Sequence, residues 1–213
     1  MDLATIDHLL TSTRSVRRRL DLSRPVEADV IQRCLDIAIQ APAGGNLARY
    51  HFLVVTDPSK RSEITALYRR AFFENYVPRR KQVQAPFPEA EARFFQSATY
   101  LAEHLDEVPA HIIPCFEGRV ETNGTFWQAS MYGCILPATW SLMLALRARG
   151  LGSSLTTLHL MYEKDVAASL RIPDTITQAA LVPVAYFTGQ DFKPAKRVPS
   201  RERTYWNAWG QSR

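Results

Sequence analysis

Residues 122–146 carry no charged side chain, and this stretch constrains the fold more than any other part of the chain. A run of that length can cross a bilayer, or it can form a helix in a protein core. Polar residues interrupt it, among them Asn123, Gln128 and Ser141, and they favour the core over the membrane. We therefore expect a helix over 126–149 that is buried on nearly every side, at the centre of a soluble protein or dimer.

Helical and strand patterns alternate through the rest of the chain. Apolar side chains at three- and four-residue steps, with turn residues between segments, predict helices; the predicted helices span 27–41, 57–76, 89–107 and 163–170. Runs rich in β-branched and aromatic residues predict strands, and these span 50–56, 110–116, 151–157 and 179–187. Pro114 weakens the second strand or places it at a sheet edge. The 213 residues suffice for one domain or two, and we expect a single domain over 1–213.

The basic charge of the chain favours anionic ligands. The net charge is +5, and the basic residues cluster at 14–19, 79–81 and 193–203. Several separate clusters indicate local anion sites, although a basic nucleic-acid-binding module remains an alternative. Against that alternative, no helix-turn-helix, RNA-binding or zinc pattern is visible in the sequence. Three cysteines without a CxxC pair argue against a disulfide scaffold or a structural zinc site.

The N-terminal sequence lacks the pattern of a secretion signal, because Asp2 and Asp7 stand where a basic and then apolar stretch would be needed. The expected location is therefore the cytoplasm, with no membrane association.

The segment Thr13–Arg19 is the strongest candidate for an anion site. Arg14 and Arg17 offer planar sets of N–H donors that suit phosphate or carboxylate oxygens, and Ser15 adds a hydroxyl between them. A solvated basic surface segment is the ordinary interpretation of such a run. The segments that follow it along the chain favour an anion site over a solvated surface segment.

Common catalytic patterns are missing from the sequence. We find no GxSxG, no HExxH and no GxxxxGK[ST], and the five histidines show no metal-ligand spacing. Gly150-Leu151-Gly152 resembles the start of a dinucleotide-binding motif, but its third glycine position is Leu155. An enzyme without its own nucleophile often relies on a cofactor for the chemistry.

Two proline-rich segments stand outside the regular pattern. Residues 77–88 combine three prolines with Arg79, Arg80 and Lys81, and we expect a mobile lid there. Residues 190–213 are rich in Lys, Arg and Pro and end in bulky aromatics, and we expect an extended C-terminal arm. Exposed aromatics of that kind usually pack on something, and a partner subunit is one option.

Four segments, in order, resemble the FMN-dependent nitroreductase-like flavoproteins. Arg14-Ser15-Val16-Arg17 is similar to the family's R-S-x-R phosphate motif, and the segment from Ala41 to Val55 resembles its A-P-S-x-x-N-x-Q-P-W-x-F-V-V segment. Gly150-Leu151-Gly152 resembles its G-L-G turn, and 182–186 with 196–199 resembles its final strand and basic tail. Each motif alone is weak, but the ordered set is specific and covers almost the whole chain.

The resemblance implies an α+β fold of three layers, with a central mixed and mostly antiparallel sheet flanked by helices. It also implies an intertwined homodimer in which the C-terminal tail reaches the partner, the long apolar helix lies at the interface, and FMN lies in two inter-subunit sites. NADH or NADPH would reduce the flavin, which would then reduce an electron-poor small molecule.

The resemblance assigns FMN contacts residue by residue. Arg14, Ser15 and Arg17 would hold the phosphate and ribityl chain, and Arg197 would reach the same phosphate. The isoalloxazine would be lined by Pro42, Ala43, Gly44 and Asn46, commonly from the other subunit. Thr156, Thr157 and Leu158 would lie by the flavin edge, where a backbone N–H or a hydroxyl tunes the electronics. No catalytic residue and no metal is expected.

The departures from the family pattern concern the substrate. Arg49 stands where the family has the proline of Q-P-W, and it places a cation near the pocket that would favour an anionic substrate or the phosphates of the nicotinamide donor. Asn75-Tyr76 before the basic segment is similar to the iodotyrosine deiodinase branch, and Tyr76 and Arg79 are the expected lid residues. Phe72, however, occupies the position of that branch's acidic substrate ligand. The resemblance implies a nitroaromatic or quinone acceptor; the flavin-cleaving branch that makes a vitamin B12 precursor, and a flavin-storage protein of little turnover, are alternatives.

Overall fold

The computed structural model describes residues 2–44, 49–80 and 88–213. The chain forms two compact units. The larger unit is Arg14–Gly189, and the smaller unit combines the residues up to Thr13 with Gln190–Arg213. The smaller unit contains helix α1 (Leu3–Ser12) and a short 3-10 helix at Ser200–Arg203. The expectation of a single domain stays a prediction.

The larger unit contains the remaining helices and the sheet. Its α-helices are α2 (Ala28–Ala38), α3 (Pro58–Arg70), α4 (Val77–Arg80), α5 (Pro88–His104), α6 (Gly124–Arg147) and α7 (Glu163–Leu170). Its strands are β1 (Tyr50–Val55), β2 (Ala110–Glu117), β3 (Leu151–Ser153), β4 (Ile176–Gln178) and β5 (Val182–Tyr186). A π-helix spans Ala71–Tyr76, and 3-10 helices span Leu105–Glu107 and Leu158–Tyr162.

The five strands form one sheet with β2 at its centre. The order is β1-β2-β5-β3, and β4 also pairs with β2. Each of these pairings is antiparallel, while an isolated parallel bridge joins Ser15 to Ser153 beside β3. The predicted α+β fold, a mostly antiparallel sheet with flanking helices, is confirmed. The homodimer stays a prediction.

Pro114 lies in this central strand, not at an edge as one of the two expectations had it. The reason is an interruption in the ladder: Cys115 pairs with Gln178 and Ile112 with Val182. Residues 179–181 therefore stand opposite only two residues of β2, which is a β-bulge. The missing N–H of Pro114 falls at this interruption, and its carbonyl still accepts the N–H of Ala179 at 2.8 Å. The strand predicted over 179–187 therefore begins only at Val182, after the bulge, and β4 before the bulge was not predicted.

The principal core lies between the sheet and the helices α2 and α6. Leu142 and Leu146 of α6, Ile31 of α2, and Val182 and Val184 of β5 belong to one buried cluster. Burying each such side chain contributes roughly 1.5–3 kcal/mol to the free energy of unfolding. The spacing of these apolar residues explains why α2 and α6 lie against the sheet.

Within the single chain the opposite face of α6 is exposed, so the expected burial on nearly every side stays a prediction for the dimer. Phe126, Trp127 and Trp140 are exposed by 71%, 58% and 41%, and Tyr132 and Leu136 also face outwards. Among the described residues, α6 is the helix long and apolar enough to cross a membrane, and half of its most apolar window is buried. Core helices of soluble proteins meet the same criteria.

The predicted lid over 77–88 begins with helix. α4 continues directly from the π-helix, and Pro78 lies inside it. The Val77 N–H donates to the carbonyl of Phe72, five residues back, and this wider turn relieves the clash that proline causes in a regular helix. Residues 81–87, which make up most of the predicted lid, lie outside the described residues.

Within the smaller unit, Asp2 caps α1 by accepting the backbone N–H groups of Ala4 and Thr5. His8 hydrogen-bonds Asp191 at 2.5 Å between side-chain nitrogen and oxygen, which joins α1 to the start of the C-terminal segment. Near the C-terminus, the Tyr205 and Trp209 rings lie 4.7 Å apart between centres. The C-terminal segment is therefore held partly by its own contacts.

Gly152 permits a close approach between β3 and the segment before α2. A Cβ atom at this position would lie 2.9 Å from the Cβ and Cγ1 atoms of Val16 and 3.1 Å from Cδ2 of Leu20. Both of those side chains are buried, so they have little room to move. The position therefore requires glycine for packing.

Gly152→Ala is expected to lower the free energy of unfolding by about 1–3 kcal/mol, the usual cost of overpacking a core. Gly133→Ala is the matched control, because nothing lies within 4 Å of a Cβ at that helical position. Alanine there is favoured by about 0.5–1 kcal/mol over glycine. Urea denaturation of the three proteins measures the difference, and equal stability of the Gly152 variant and the parent would contradict the account.

Two histidines are buried away from the segments described so far. His111 on β2 hydrogen-bonds the carbonyl of Leu105 at 2.8 Å, and both ring nitrogens of His159 have no partner in the described part of the chain. Burial lowers the pKa of His111 to about 4 and that of His159 to about 3. Both rings are therefore neutral in the folded protein at neutral pH.

The free energy of unfolding should fall as the pH falls below about 6.5, because both histidines become protonated in the unfolded chain but stay neutral in the folded protein. Each histidine contributes about 1.4 kcal/mol per pH unit in this range. We expect His159→Phe to reduce the loss of unfolding free energy between pH 6.5 and pH 5 by about 2 kcal/mol. Urea denaturation at the two pH values tests this; the same loss in variant and parent would rule out the role of His159.

Candidate functional site

The Arg14–Arg17 segment lies against the end of β3. The Val16 N–H donates to the carbonyl of Ser153 at 2.9 Å, and Ser15 forms a parallel bridge with Ser153. Val16 is buried, whereas the two residues before it, Arg14 and Ser15, are exposed and Arg17 after it is half-buried. Val16 therefore anchors the motif in the core, and its neighbour Ser15 lies on the outward face.

Arg17 is half-buried, and within the described residues its guanidinium makes no hydrogen bond or ion pair. It lies 5.5 Å from the centre of the Phe94 ring. Burial lowers the pKa of Arg17, and the phenol groups of Tyr68 and Tyr76 oppose this shift. A partly desolvated cation without a carboxylate partner costs free energy, and an anionic ligand would offset that cost.

A buried hydroxyl lies one residue beyond β3. The Ser154 Oγ atom is buried and has no hydrogen-bond partner among the described residues. Ser154 directly follows Ser153, the residue to which the arginine segment is bonded. The donor set of this region, guanidinium and hydroxyl groups, is the chemistry that suits a phosphate ester. The residues present therefore fit the phosphate group of FMN.

Thr156 and Thr157 follow in an irregular segment, where a strand to 157 had been expected, and Leu158 begins the 3-10 helix. Thr156 exchanges both backbone hydrogen bonds with Leu181 of the bulge, at 2.9 and 2.8 Å, so its N–H is not available to a ligand. Its hydroxyl lies 3.1 Å from that of Tyr68. Thr157 is exposed, and its N–H and hydroxyl have no hydrogen-bond partner in the described structure. Thr157 is thus better placed than Thr156 to donate to a flavin through its backbone.

The Ala-Pro-Ala-Gly turn is fastened to α6. The Gly44 N–H donates to the Sγ atom of Cys134 at 3.2 Å, and Ala43 packs against a buried cluster that contains Tyr50. Pro42 and Gly44 are exposed. The predicted contact Asn46 lies outside the described residues, so the turn is known only up to Gly44.

The predicted lid residues lie on an aromatic helix face. The ring of Tyr76 stacks on that of Phe72 at 5.9 Å and lies 6.4 Å from that of Phe95, and Arg79 is exposed. Tyr68, which our sequence reasoning overlooked, belongs to the same face. The four-residue steps from Tyr68 to Phe72 and Tyr76 are the signal that could have revealed it.

Arg49 lines an open groove of about 680 Å³ in the larger unit. Gly44 and Cys134 lie along the groove, together with the aromatic side chains of Phe116, Phe126 and Trp127. Sequence reasoning placed Arg49 near a pocket but missed the two aromatics at the start of α6, because it treated that helix as fully buried.

Arg197 belongs to the smaller unit and is exposed. Its expected contact with the phosphate stays a prediction. Within the described ranges, no group of three or more His, Cys, Asp or Glu side chains is arranged to hold a metal ion.

Both the sequence and the fold of this chain resemble known proteins. The model of the nitroreductase family matches residues 10–186. A curated relative, the iodotyrosine dehalogenase 1 homolog of Caenorhabditis elegans, is 27% identical over 180 residues, or 83% of this chain and 54% of the relative. The chain therefore spans about half the length of that relative.

Two solved structures illustrate the likeness in fold. A BluB-like flavoprotein from Clostridium difficile 630 has a TM-score of 0.71 at 15% identity, with 98% of this chain and 100% of that chain covered. The oxidised iodotyrosine deiodinase bound to FMN and 3-iodo-L-tyrosine has a TM-score of 0.69 at 22% identity, covering 92% and 98%. At these identities the likeness establishes the fold.

Proposed function

This chain belongs to the nitroreductase family, which supports an FMN-oxidoreductase-like function, and we propose that it uses NADH or NADPH to reduce an electron-poor acceptor of nitroaromatic or quinone type. The observation that carries the proposal is Arg17, a half-buried guanidinium without a hydrogen-bonding partner in the described residues, beside the β3 edge. The relatives named above include proteins described as a flavoprotein and as bound to FMN.

FMN would be held by groups from four places in the chain. Arg14, Ser15 and Arg17 would bind its phosphate and ribityl chain, with Arg197 added from the C-terminal segment. The turn Pro42–Gly44 with Asn46 would line the isoalloxazine ring, and 156–158 would lie at its edge. Bound FMN supplies the redox chemistry, so the chain needs no nucleophile of its own.

The residues of this chain would bind and orient both substrates. In a ping-pong scheme the nicotinamide donor leaves before the acceptor enters the same pocket, so one binding surface serves both. Thr157 can donate its N–H or hydroxyl to the flavin edge, because neither group is used within the described structure. Tyr76 ends the π-helix directly before the predicted lid, Arg79 lies on α4 within it, and both side chains would cover the substrate.

Deiodination of an amino acid is not favoured by the structure. Phe72, at the position where the deiodinase branch carries its acidic substrate ligand, is fully buried. Glu74, two residues further along, lies 3.4 Å from Arg70 between charged side-chain atoms and is exposed. The amino group of a zwitterionic substrate would therefore lack a carboxylate at this position.

A homodimer is part of the proposal. The outward face of α6 exposes Tyr132, Leu136 and Trp140, which follow one another at four-residue steps along the helix. An exposed apolar face of this kind is typical of a protein–protein interface. A second copy of the chain would cover it and would bring its own Pro42–Gly44 turn towards the site.

Arg17→Gln is expected to raise the dissociation constant of FMN at least about tenfold, because a hydrogen bond to a charged group is worth about 1.5–3 kcal/mol. Arg14→Gln should act in the same direction. Arg18→Gln is the matched control, since Arg18 belongs to the same basic run but lines a different surface with Tyr100 and Glu103. Fluorescence titration of the apoprotein with FMN measures the affinity. Equal FMN affinity in the Arg17 and Arg18 variants would contradict the proposed phosphate site.

The ping-pong scheme predicts parallel lines in double-reciprocal plots when the nicotinamide donor is varied at several fixed concentrations of a quinone. Lines that intersect would mean that both substrates bind together, and the shared pocket would have to be abandoned. Retained FMN with negligible turnover for every acceptor would favour the flavin-storage alternative.

A further inference from the structure

We propose that the groove beside Gly44 binds an acceptor that is both aromatic and anionic, with Arg49 as the counter-ion for a carboxylate or a similar group. The inference rests on the proposed function, since it names the substrate class of that same site. The groove volume of about 680 Å³ falls within the usual range for small-molecule sites. It is large enough for a substituted single-ring compound.

The backbone of Arg49 is fixed by a hydrogen bond, and its side chain can contact a ligand. Its carbonyl accepts the N–H of Glu117 at 2.8 Å, which fixes the residue at the start of β1. The guanidinium makes no hydrogen bond or ion pair with any residue that the structure describes, and the residue is exposed. The charge of Arg49 is thus not offset by a carboxylate in the described part of the groove.

The other charged groups of the groove have hydrogen-bonding partners of their own. Arg119 donates two hydrogen bonds to the carboxylate of Glu163, at 2.9 and 2.8 Å, and also pairs with Glu121. Glu117 hydrogen-bonds His51 at 2.9 Å. A ligand anion would therefore find its counter-ion in Arg49.

Aromatic rings form the apolar part of the groove. Phe116 at the end of β2 and Phe126 and Trp127 in the first turn of α6 lie along it. Asn123 at the start of α6 makes no side-chain cap, so the first N–H groups of the helix add a favourable potential for an anion. Planar rings beside a cation and a helix N-terminus select a planar, negatively charged ligand.

The groove is continuous with the proposed flavin site through Gly44. That residue lines the groove and belongs to the turn expected against the isoalloxazine, and its N–H is bonded to Cys134 on the groove wall. An aromatic acceptor in the groove would thus lie beside the residues that we propose to contact FMN. The charge of Arg49 would act on substrate binding, not on the flavin.

The kinetic test compares 4-nitrobenzoate with 4-nitrobenzamide, which have the same ring and nitro group but differ in charge. The parent enzyme should show a kcat/KM for the anion at least about tenfold above that for the amide. Arg49→Gln should abolish this preference by raising the KM of the anion alone. Arg33→Gln is the control, because Arg33 is an exposed arginine paired with Asp29 on α2, and it should keep the preference.

A binding test separates this inference from the proposed function. Benzoate should quench or enhance the tryptophan fluorescence at concentrations at least about tenfold lower than benzamide, and this change should disappear in Trp127→Phe. The same change in Trp127→Phe and the parent would place benzoate elsewhere and overturn the inference.

The two proposals fail separately. If NAD(P)H reduces the flavin but the parent enzyme treats both nitro compounds alike, the anion site is wrong and the oxidoreductase stands. If the protein takes up no FMN, the oxidoreductase is wrong, while the benzoate titration still decides whether the groove binds aromatic anions.

Discussion

The hydrogen bond from the Val16 N–H to the Ser153 carbonyl is the contact on which the proposed site depends. It holds the arginine segment along β3, and the absence of a side chain at Gly152 lets the two segments approach. Because Val16 points into the core, its neighbour Ser15 faces outwards, and Arg14 is exposed as well. A local feature of packing thereby determines which groups of the motif can meet a ligand.

The charges of the larger unit divide into satisfied and unsatisfied arginines. Arg80 pairs with Glu91 at 2.8 Å, and Arg119 pairs with Glu163, so these cations are neutralised within the chain. Arg17 and Arg49 have no such partner among the described residues, and they stand in two places where the sequence matches or departs from the family motif. This contrast supports a role for Arg17 in binding the cofactor, as in the rest of the family. It supports a role for Arg49, which is specific to this chain, in selecting the acceptor.

The sequence predicted the sheet and the long helix because their signals are local. β1 and β2 are dense in β-branched and aromatic residues, and α6 lacks charge over its whole length apart from Arg147. The bulge at 179–181 and the π-helix before Pro78 could not be predicted, since both depend on how neighbouring strands and turns accommodate a proline. The ordered motifs predicted the family, but not that Thr156 would be bonded to Leu181 and Tyr68.

The central claim is that this chain is a reducible FMN protein, and the most direct measurement is its visible absorption spectrum without oxygen, before and after NADH or NADPH is added. The account predicts flavin bands in the purified or FMN-reconstituted protein that bleach when either donor is added. A protein that stays colourless after incubation with FMN, or bound flavin that neither donor bleaches, would contradict it.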